Sequence, residues 1–382
     1  MKARYYLPYI LFIFSFSGYS QKNFWTISGI VANEKKMAVQ SANVFVNNTS
    51  IGFVTNEKGN FQLNVPDKFS QVELIVCFEG YKTIKRKINY STEIQVFRFQ
   101  LERDGILKKT VVTAKKEKDW KNKWEIFENA LLGNSKFAKN CKILNSNVVR
   151  LEFDKDKKMT ATATAPIQII NEALGYKILL LMDKFESDSS GTNMSALKFF
   201  EKVNTTNIDL KNKWDKNQKD AFSGSFHNFL MVLTDNKLEE NDFEIFKKSS
   251  VQTAKNDPTT VEKELNEGTL TRAKANEIYI YNKDAESFLL QSDSPLLVFF
   301  KKSPELKPAF SDYPFKSSEI VLLKSYARFN ENGWLRRPND IVLKGFWGDK
   351  GLANQLPDDY NLDGLIKEPN DASTINKLSK RQ

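Results

Sequence analysis

His227 is the only histidine in 382 residues, and it frames every catalytic reading of the chain. Ser223 lies four positions before it and Ser225 two. On a helix, Ser223 and His227 share one face, and a serine beside a base is the arrangement for acyl transfer. The segment has no Gly-x-Ser-x-Gly elbow and no evident oxyanion-hole loop. A histidine beside the apolar stripe of Phe222, Phe226, Phe229, Leu230 and Leu233 reads instead as a packed or capping residue. Cys141 with His227 is the other nucleophile–base combination, but nothing in the spacing joins them. Asp183, Glu186 and Asp188 cluster as carboxylates for glycoside hydrolysis; the simpler reading is a solvated strand end. Asp154-x-Asp156 lacks the glycine and distal glutamate of a calcium loop. There is no phosphate-binding glycine loop, and two cysteines with one histidine do not make a structural zinc site. No catalytic, cofactor-binding or metal residue is assigned, and the expectation is a protein that is not an enzyme. The competing expectation is a carboxylate-based hydrolase acting on polysaccharide.

Aromatic residues are the other chemical signal. Trp334, Trp347, Tyr313 and Phe315 sit in Pro- or Gly-flanked, turn-like contexts. Exposed loop aromatics bind glycans or proteins; buried ones close a core. Core is the better reading for Trp334, and both readings stand for Trp347. The net charge of +10 comes from lysines spread along the chain and interleaved with Asp and Glu. The basic clusters are short, such as Lys115-Lys116 and Arg336-Arg337, so nucleic acid is not an expected partner.

The elements that must position these residues follow from periodicity. Lys2 and Arg4 precede an apolar run at 5–16, and Gly18 and Ser20 occupy the −3 and −1 positions of a cleavage site. Residues 1–20 read as a removed signal peptide. Residue 21 is Gln, which offers no lipid-bearing cysteine. No other segment approaches eighteen apolar residues, so no transmembrane span is expected in the mature chain. Export to the periplasm or outer-membrane periphery follows, with the cell surface also open.

Residues 22–103 alternate apolar and polar in short runs: Ile27/Gly29/Val31, Phe61/Leu63/Val65, Val72/Leu74/Val76 and Phe97/Phe99/Leu101. Gly59 suits a tight turn. This is the pattern of a small antiparallel β-sandwich. Cys77 and Cys141 are the only cysteines. An oxidising compartment permits a bridge, but Cys77 lies in an apolar strand where a buried thiol is at home.

The pieces Ile27-Ser28-Gly29-Ile30-Val31, Ala42-Asn43-Val44-Phe45-Val46, Gly52 to Phe61, and Phe78-Glu79-Gly80-Tyr81 resemble the carboxypeptidase regulatory-like domain. The resemblance implies a transthyretin-like, seven-stranded, non-catalytic sandwich. The family turn usually opens Thr-Asp; here it is Thr55-Asn56, which supports the turn without bringing a charge for metal. Residues 104–118 form a linker. Within it, 106–114 is similar to the segment joining such domains to the plug of TonB-dependent transporters. That implies a strand pairing with an outer-membrane or TonB-system partner; a last sandwich strand with a charged linker is the favoured reading.

Residues 119–367 read as an α+β module and 368–382 as a disordered tail. Trp120, Trp124, Phe127 and Leu131 mark a helix ending at Gly133. Strands are expected at 148–153, 159–165, 167–170 and 176–185, and helices at 196–203, 210–233 and 241–248, the second weakened at Gly224. Strands return at 277–281, 287–291, 296–301, 319–326 and 341–343, with a turn at Gly333. Ala165 to Asn171, Gly224 to Leu230 and Leu352 to Tyr360 resemble exported Bacteroidetes proteins of unassigned activity that carry the same sandwich. The expected function is a non-catalytic cell-envelope protein whose α+β module binds an envelope protein or glycan.

Overall fold

A computed structural model describes residues 24–104, 119–188, 191–249, 259–337 and 340–360. The expected signal peptide, the strand expected at 106–114 and the tail expected from 368 lie outside the described residues.

The sandwich has seven strands: β1 (Phe24–Asn33), β2 (Asn43–Val46), β3 (Gly52–Val54), β4 (Asn60–Pro66), β5 (Gln71–Cys77), β6 (Ile84–Asn89) and β7 (Gln95–Leu101). They form a sheet ordered β4-β1-β7 facing one ordered β3-β2-β5-β6. Alternation explains the first sheet. In β4, Phe61, Leu63 and Val65 are buried while Gln62 and Asn64 face out. The Asn56 side-chain oxygen Oδ1 accepts the amides of Lys58 and Asn60, both at 3.0 Å, and closes the turn into β4. Gly59 sits at φ +72°, where a Cβ would lie 2.4 Å from the Val31 carbonyl. One expectation is corrected: β1 and β7 pair in parallel, so the sandwich is not wholly antiparallel.

The second sheet breaks the alternation. Leu74, Ile75, Val76 and Cys77 are all buried, as are Val44, Phe45 and Val46. Leu74 and Val76 fill the sandwich core. Phe45, Ile75 and Cys77 point the other way, onto Leu179, Leu181, Leu197 and Phe199 of the next domain. A strand buried on both faces reads as a continuous apolar run, and the run here is the sequence trace of a domain seam. Both cysteines are free, buried thiols. They belong to different cores, with Cys77 in the seam and Cys141 packed beneath the next helix.

That helix is α1 (Trp120–Leu132). It buries Phe127, Leu131 and Leu132 against a sheet of β8 (Cys141–Ile143), β9 (Val149–Phe153), β10 (Met159–Ala163), β11 (Ile167–Asn171), β12 (Tyr176–Asp188) and β13 (Gly191–Lys202). The helix expected at 196–203 is β13. Leu197 and Phe199 face the seam while Phe200 faces the domain core, and apolar residues on both faces mimic a helical stripe.

Two helices follow, α2 (Ile208–Phe222) and α3 (Phe226–Thr234). The single helix expected at 210–233 is broken at Gly224. That residue takes φ +68°, and a Cβ there would meet the Phe300 ring at 2.4 Å. Next come β14 (Phe243–Lys248), α4 (Val261–Asn266), β15 (Leu270–Arg272), α5 (Ala275–Ile278), β16 (Tyr279–Asn282) and β17 (Ser287–Leu290). The chain then forms β18 (Leu296–Pro304), β19 (Phe315–Leu322), β20 (Ala327–Phe329) and β21 (Ile341–Gly345). A five-stranded sheet runs β15-β14-β18-β19-β21, and a three-stranded one β16-β17-β20. The helix expected at 241–248 is β14. Phe243 and Ile245 pack on α3 and Phe246 on the opposite side, a period of two. The strand expected at 277–281 begins two residues later, at Tyr279, because α5 precedes it. The short elements β8, α4, β15 and β20 were not expected from periodicity, which three to six residues rarely display. Among the described residues no helix is long and apolar enough to cross a membrane.

The seam makes Cys77 a reporter. Burial pushes both thiols up to about 12, so a thiol reagent should modify neither in the native chain, and both should titrate after denaturation. Ile75→Ala is expected to cost about 2–5 kcal/mol in urea unfolding and to expose Cys77 to labelling ahead of Cys141. Equal labelling rates in that variant would mean that the seam is not a separate layer.

Candidate functional site

The turn between β2 and β3 joins the sandwich to the module by main-chain bonds. Asn48 N donates to Lys198 O at 2.8 Å and Phe200 N to Thr49 O at 3.0 Å. The Asn47 amide oxygen accepts Lys198 N at 3.0 Å. The end of the described chain closes on the same turn: Asp358 N donates to Asn48 O at 2.8 Å. Asp359 receives Ser50 N at 2.6 Å and Ser50 Oγ at 2.5 Å. Beside this junction lies a cavity of about 290 Å³. Its polar lining comes from all three parts: Asn48, Lys198, His227, Trp334, Asn354 and Asp358.

Lys198 Nζ donates to Gln355 Oε1 at 2.8 Å. Burial pulls its ammonium below the usual lysine range, and Asp358 opposes that. Burial also pushes the Asp358 carboxyl up to about 7; Lys198 draws it back and Asp359 adds to the rise. Trp334 stacks on Phe69 of the sandwich, with centroids 4.5 Å apart and an interplanar angle of 5°. Three buried polar atoms in the lining have no partner in the protein: the Asn48 and Asn354 amide oxygens and the Trp334 indole nitrogen. Two are acceptors and one is a donor. Buried polar groups are normally satisfied, so the cavity suits a small ligand rich in hydroxyl or amide groups.

The predicted nucleophile–base group is here, in a different role. Ser225 caps α3, its Oγ accepting Asn228 N at 3.0 Å. Ser223 ends α2 and lines a neighbouring cleft. His227 Nε2 lies 2.6 Å from the Asn332 carbonyl oxygen. A carbonyl only accepts, so Nε2 carries the proton. Burial holds this imidazole down at about 4; the Asn332 carbonyl opposes that and Lys68 adds to it. His227 is therefore neutral at pH 7, oriented as a packed donor. Cys141 is elsewhere, its Sγ donating to Phe137 O at 3.6 Å.

The carboxylate cluster lies on the β12–β13 hairpin. Asp183 is exposed at a bulge in the pairing, and Asp188 is exposed at the strand end. Glu186 is held by Lys184 at 3.1 Å and Lys158 at 3.4 Å. The hydrogen bond from Lys184 keeps it below the usual carboxylate range. Asp154 closes a turn, accepting the amides of Asp156 and Lys158, both at 2.9 Å. Among the described residues no three His, Cys, Asp or Glu side chains gather to hold a metal ion. Trp347 is core, 5% exposed, its Nε1 donating to Gly224 O at 2.8 Å. Tyr313 and Phe315 pack on a small cluster around Phe246 and Phe299. Trp334 closes the sandwich core from the module side.

Sequence reasoning missed Lys198, Asp358, Asn48 and Asn354 as partners. A signal was present in Leu197-Lys198-Phe199-Phe200, a charge inside an apolar run. Nothing local links it to residues 354–358.

Residues 27–113 match the family model of the CarboxypepD_reg-like domain, and this part of the chain is a carboxypeptidase regulatory-like domain. No curated protein matches the chain. Among solved structures, similarity is found to catechol 1,2-dioxygenase from Acinetobacter sp. ADP1, at 9% identity and TM-score 0.18, covering 23% of this chain and 55% of that one. The chain thus spans little more than half the length of that dioxygenase. A protein of unknown function from Bacteroides fragilis, described as membrane-associated, is matched at 10% identity and TM-score 0.18, over 47% of this chain and 95% of that one. A DUF3823 family protein from Bacteroides ovatus is matched at 12% identity and TM-score 0.18, over 48% and 78%.

The cavity makes two opposite pH signatures. The Asp358 carboxyl, raised from 3.8 to about 7, binds its proton more tightly folded than unfolded. Its contribution to stability therefore falls as pH rises from about 4 to about 7. His227, lowered from 6.5 to about 4, does the reverse, and its contribution is lost as pH falls through that window. Each slope approaches about 1.4 kcal/mol per pH unit. Chemical denaturation of Asp358→Asn should show stability gained over the wild type as pH rises from 4 to 7. His227→Gln should show the gain as pH falls from 6.5 to 4. A flat difference curve for Asp358→Asn would contradict a shielded carboxyl at this position.

Proposed function

We propose that this protein is a non-catalytic component of a bacterial cell envelope. On this reading it is exported by the leader at residues 1–20 and works as one binding body for an envelope protein or glycan. The regulatory-like sandwich supports a presenting role, since such a domain supplies β-structure without catalytic residues. The observation that carries the reading is the cavity at the junction, whose lining residues Asn48, Asn354 and Trp334 each hold a buried polar atom without a protein partner. A concave space lined by a few polar residues beside aromatic side chains is the usual making of a recognition site. The sandwich contributes one wall and the module the rest, so the ligand would read the two domains together. The 106–114 segment is proposed as the contact to an outer-membrane or TonB-system partner.

In-cell crosslinking of the tagged chain, followed by mass spectrometry, should return reproducible crosslinks from residues 119–360 to one envelope protein, or retention of the chain on an envelope glycan fraction. Trp334→Phe combined with Asn354→Leu keeps the stack on Phe69 while removing two hydrogen-bonding groups, and should weaken that capture at least roughly tenfold. Deleting 106–114 should abolish recovery of a TonB-system partner. Recovery of the chain alone, with no retention on glycan, would sink the proposal.

A further inference from the structure

Lys350 and Asn354 also line a second hollow, of about 810 Å³, next to the junction cavity. Its walls are the 134–137 turn after α1, the 302–309 stretch that starts in the last residues of β18, and the loop following β21. Its distinctive feature is Phe346. Lys350 Nζ lies 3.9 Å from the centroid of this ring and Lys316 Nζ 4.6 Å from it. Two ammonium groups on one ring attract the ring and repel each other. Burial, with Lys316 adding to it, draws Lys350 down to about 8. Among the described residues, Lys302, Lys307, Lys316 and Lys350 enter no ion pair, whereas Lys136 on the same cleft is neutralised by Asp220 at 2.9 Å.

The cleft is not purely basic. Glu305 and Asp349 line it, together with hydroxyls such as Ser303 and Ser317. A bare inorganic anion would use the lysines and leave these acceptors idle. A nucleic-acid backbone is charged at every residue but offers few free hydroxyls, so the two carboxylates would repel it without receiving donors. A sugar acid satisfies both halves of the lining: its anionic group neutralises the lysines, and its hydroxyls donate to the carboxylates.

We propose that this cleft binds an acidic saccharide, with the sugar's anionic group bridging Lys316 and Lys350 and its hydroxyls donating to Glu305 and Asp349. The proposal rests on the reading of the chain as an envelope-binding protein and specifies the glycan side of it.

The test is calorimetric titration of the full chain with three anionic probes, namely tetragalacturonate, a hyaluronan tetrasaccharide and glucose 6-phosphate. Maltotetraose and inorganic phosphate serve as comparisons. At least one anionic saccharide should bind, with affinity falling as salt rises from about 50 to about 500 mM. Lys316→Met and Lys350→Met should each weaken it roughly tenfold or more. Lys302→Glu, at an exposed position that does not threaten folding, should weaken it as well. Binding of maltotetraose with equal affinity would overturn the proposal, as would phosphate binding as tightly as the sugar acid, which would mark a simple anion site. Failure of all three anionic saccharides would also overturn it. If the cells still yield crosslinks to an envelope protein, that failure leaves the broader function standing.

Discussion

The central constraint on this molecule is that one sheet of its sandwich is apolar on both faces. Phe45, Ile75 and Cys77 point away from the sandwich core, and in water they would form an exposed hydrophobic patch. Covering them fixes where β12 and β13 must lie, since Leu179, Leu181, Leu197 and Phe199 are the matching surface. Phe199 stacks on Phe45 with centroids 5.2 Å apart. Once these layers are in contact, the β2–β3 turn has a set position over β13. Gly52 then has to be a glycine, because a Cβ would meet the Phe199 ring at 2.4 Å. The polar junction is what remains at the edge of this apolar seam.

Burial at that edge has a cost. An ammonium and a carboxyl are drawn out of water together at Lys198 and Asp358, and attraction between them offsets only part of the desolvation. His227 is kept neutral by the same shielding. Lys198, Asp358 and His227 line one cavity, and burial shifts the protonation of each. Perturbed titration clustered in a concave site is a recurrent mark of function, although structural pairs produce it as well. Here it coincides with unpartnered amide and indole groups, which a purely structural ion pair does not require.

The seven strands of the sandwich were legible because period-two alternation, turn glycines and the family's motif order all point to the same answer. The capping role of Ser225 was half legible: Gly224 with flanking serines announced a weak point in a helix, and the structure makes it a complete break. The misread elements share one cause. In both β13 and β14 apolar side chains occur on the two faces, which erases the alternation that marks a half-buried strand. The junction was barely legible. Lys198 stands out as a charge inside an apolar run, but Asn48 and Asp358 are unremarkable locally, and only tertiary contact gives the three a common role. The runs Leu74-Ile75-Val76-Cys77 and Val44-Phe45-Val46 were the clues that the sandwich has a neighbour, and they read as such only when set against the clean alternation of β4.

The closure of the junction also orders events in time. Ser50 waits for Asp359, 309 residues further along the chain, to complete its hydrogen bonds. Synthesis runs from the N-terminus, so the sandwich is finished long before the strands that cover it. Its doubly apolar sheet then stands open as an unpaired surface until β12 and β13 arrive, and the junction is sealed later still. Such long-range closure is slow. The early sandwich is consequently the species of this chain most prone to stick to itself or to be captured by a chaperone.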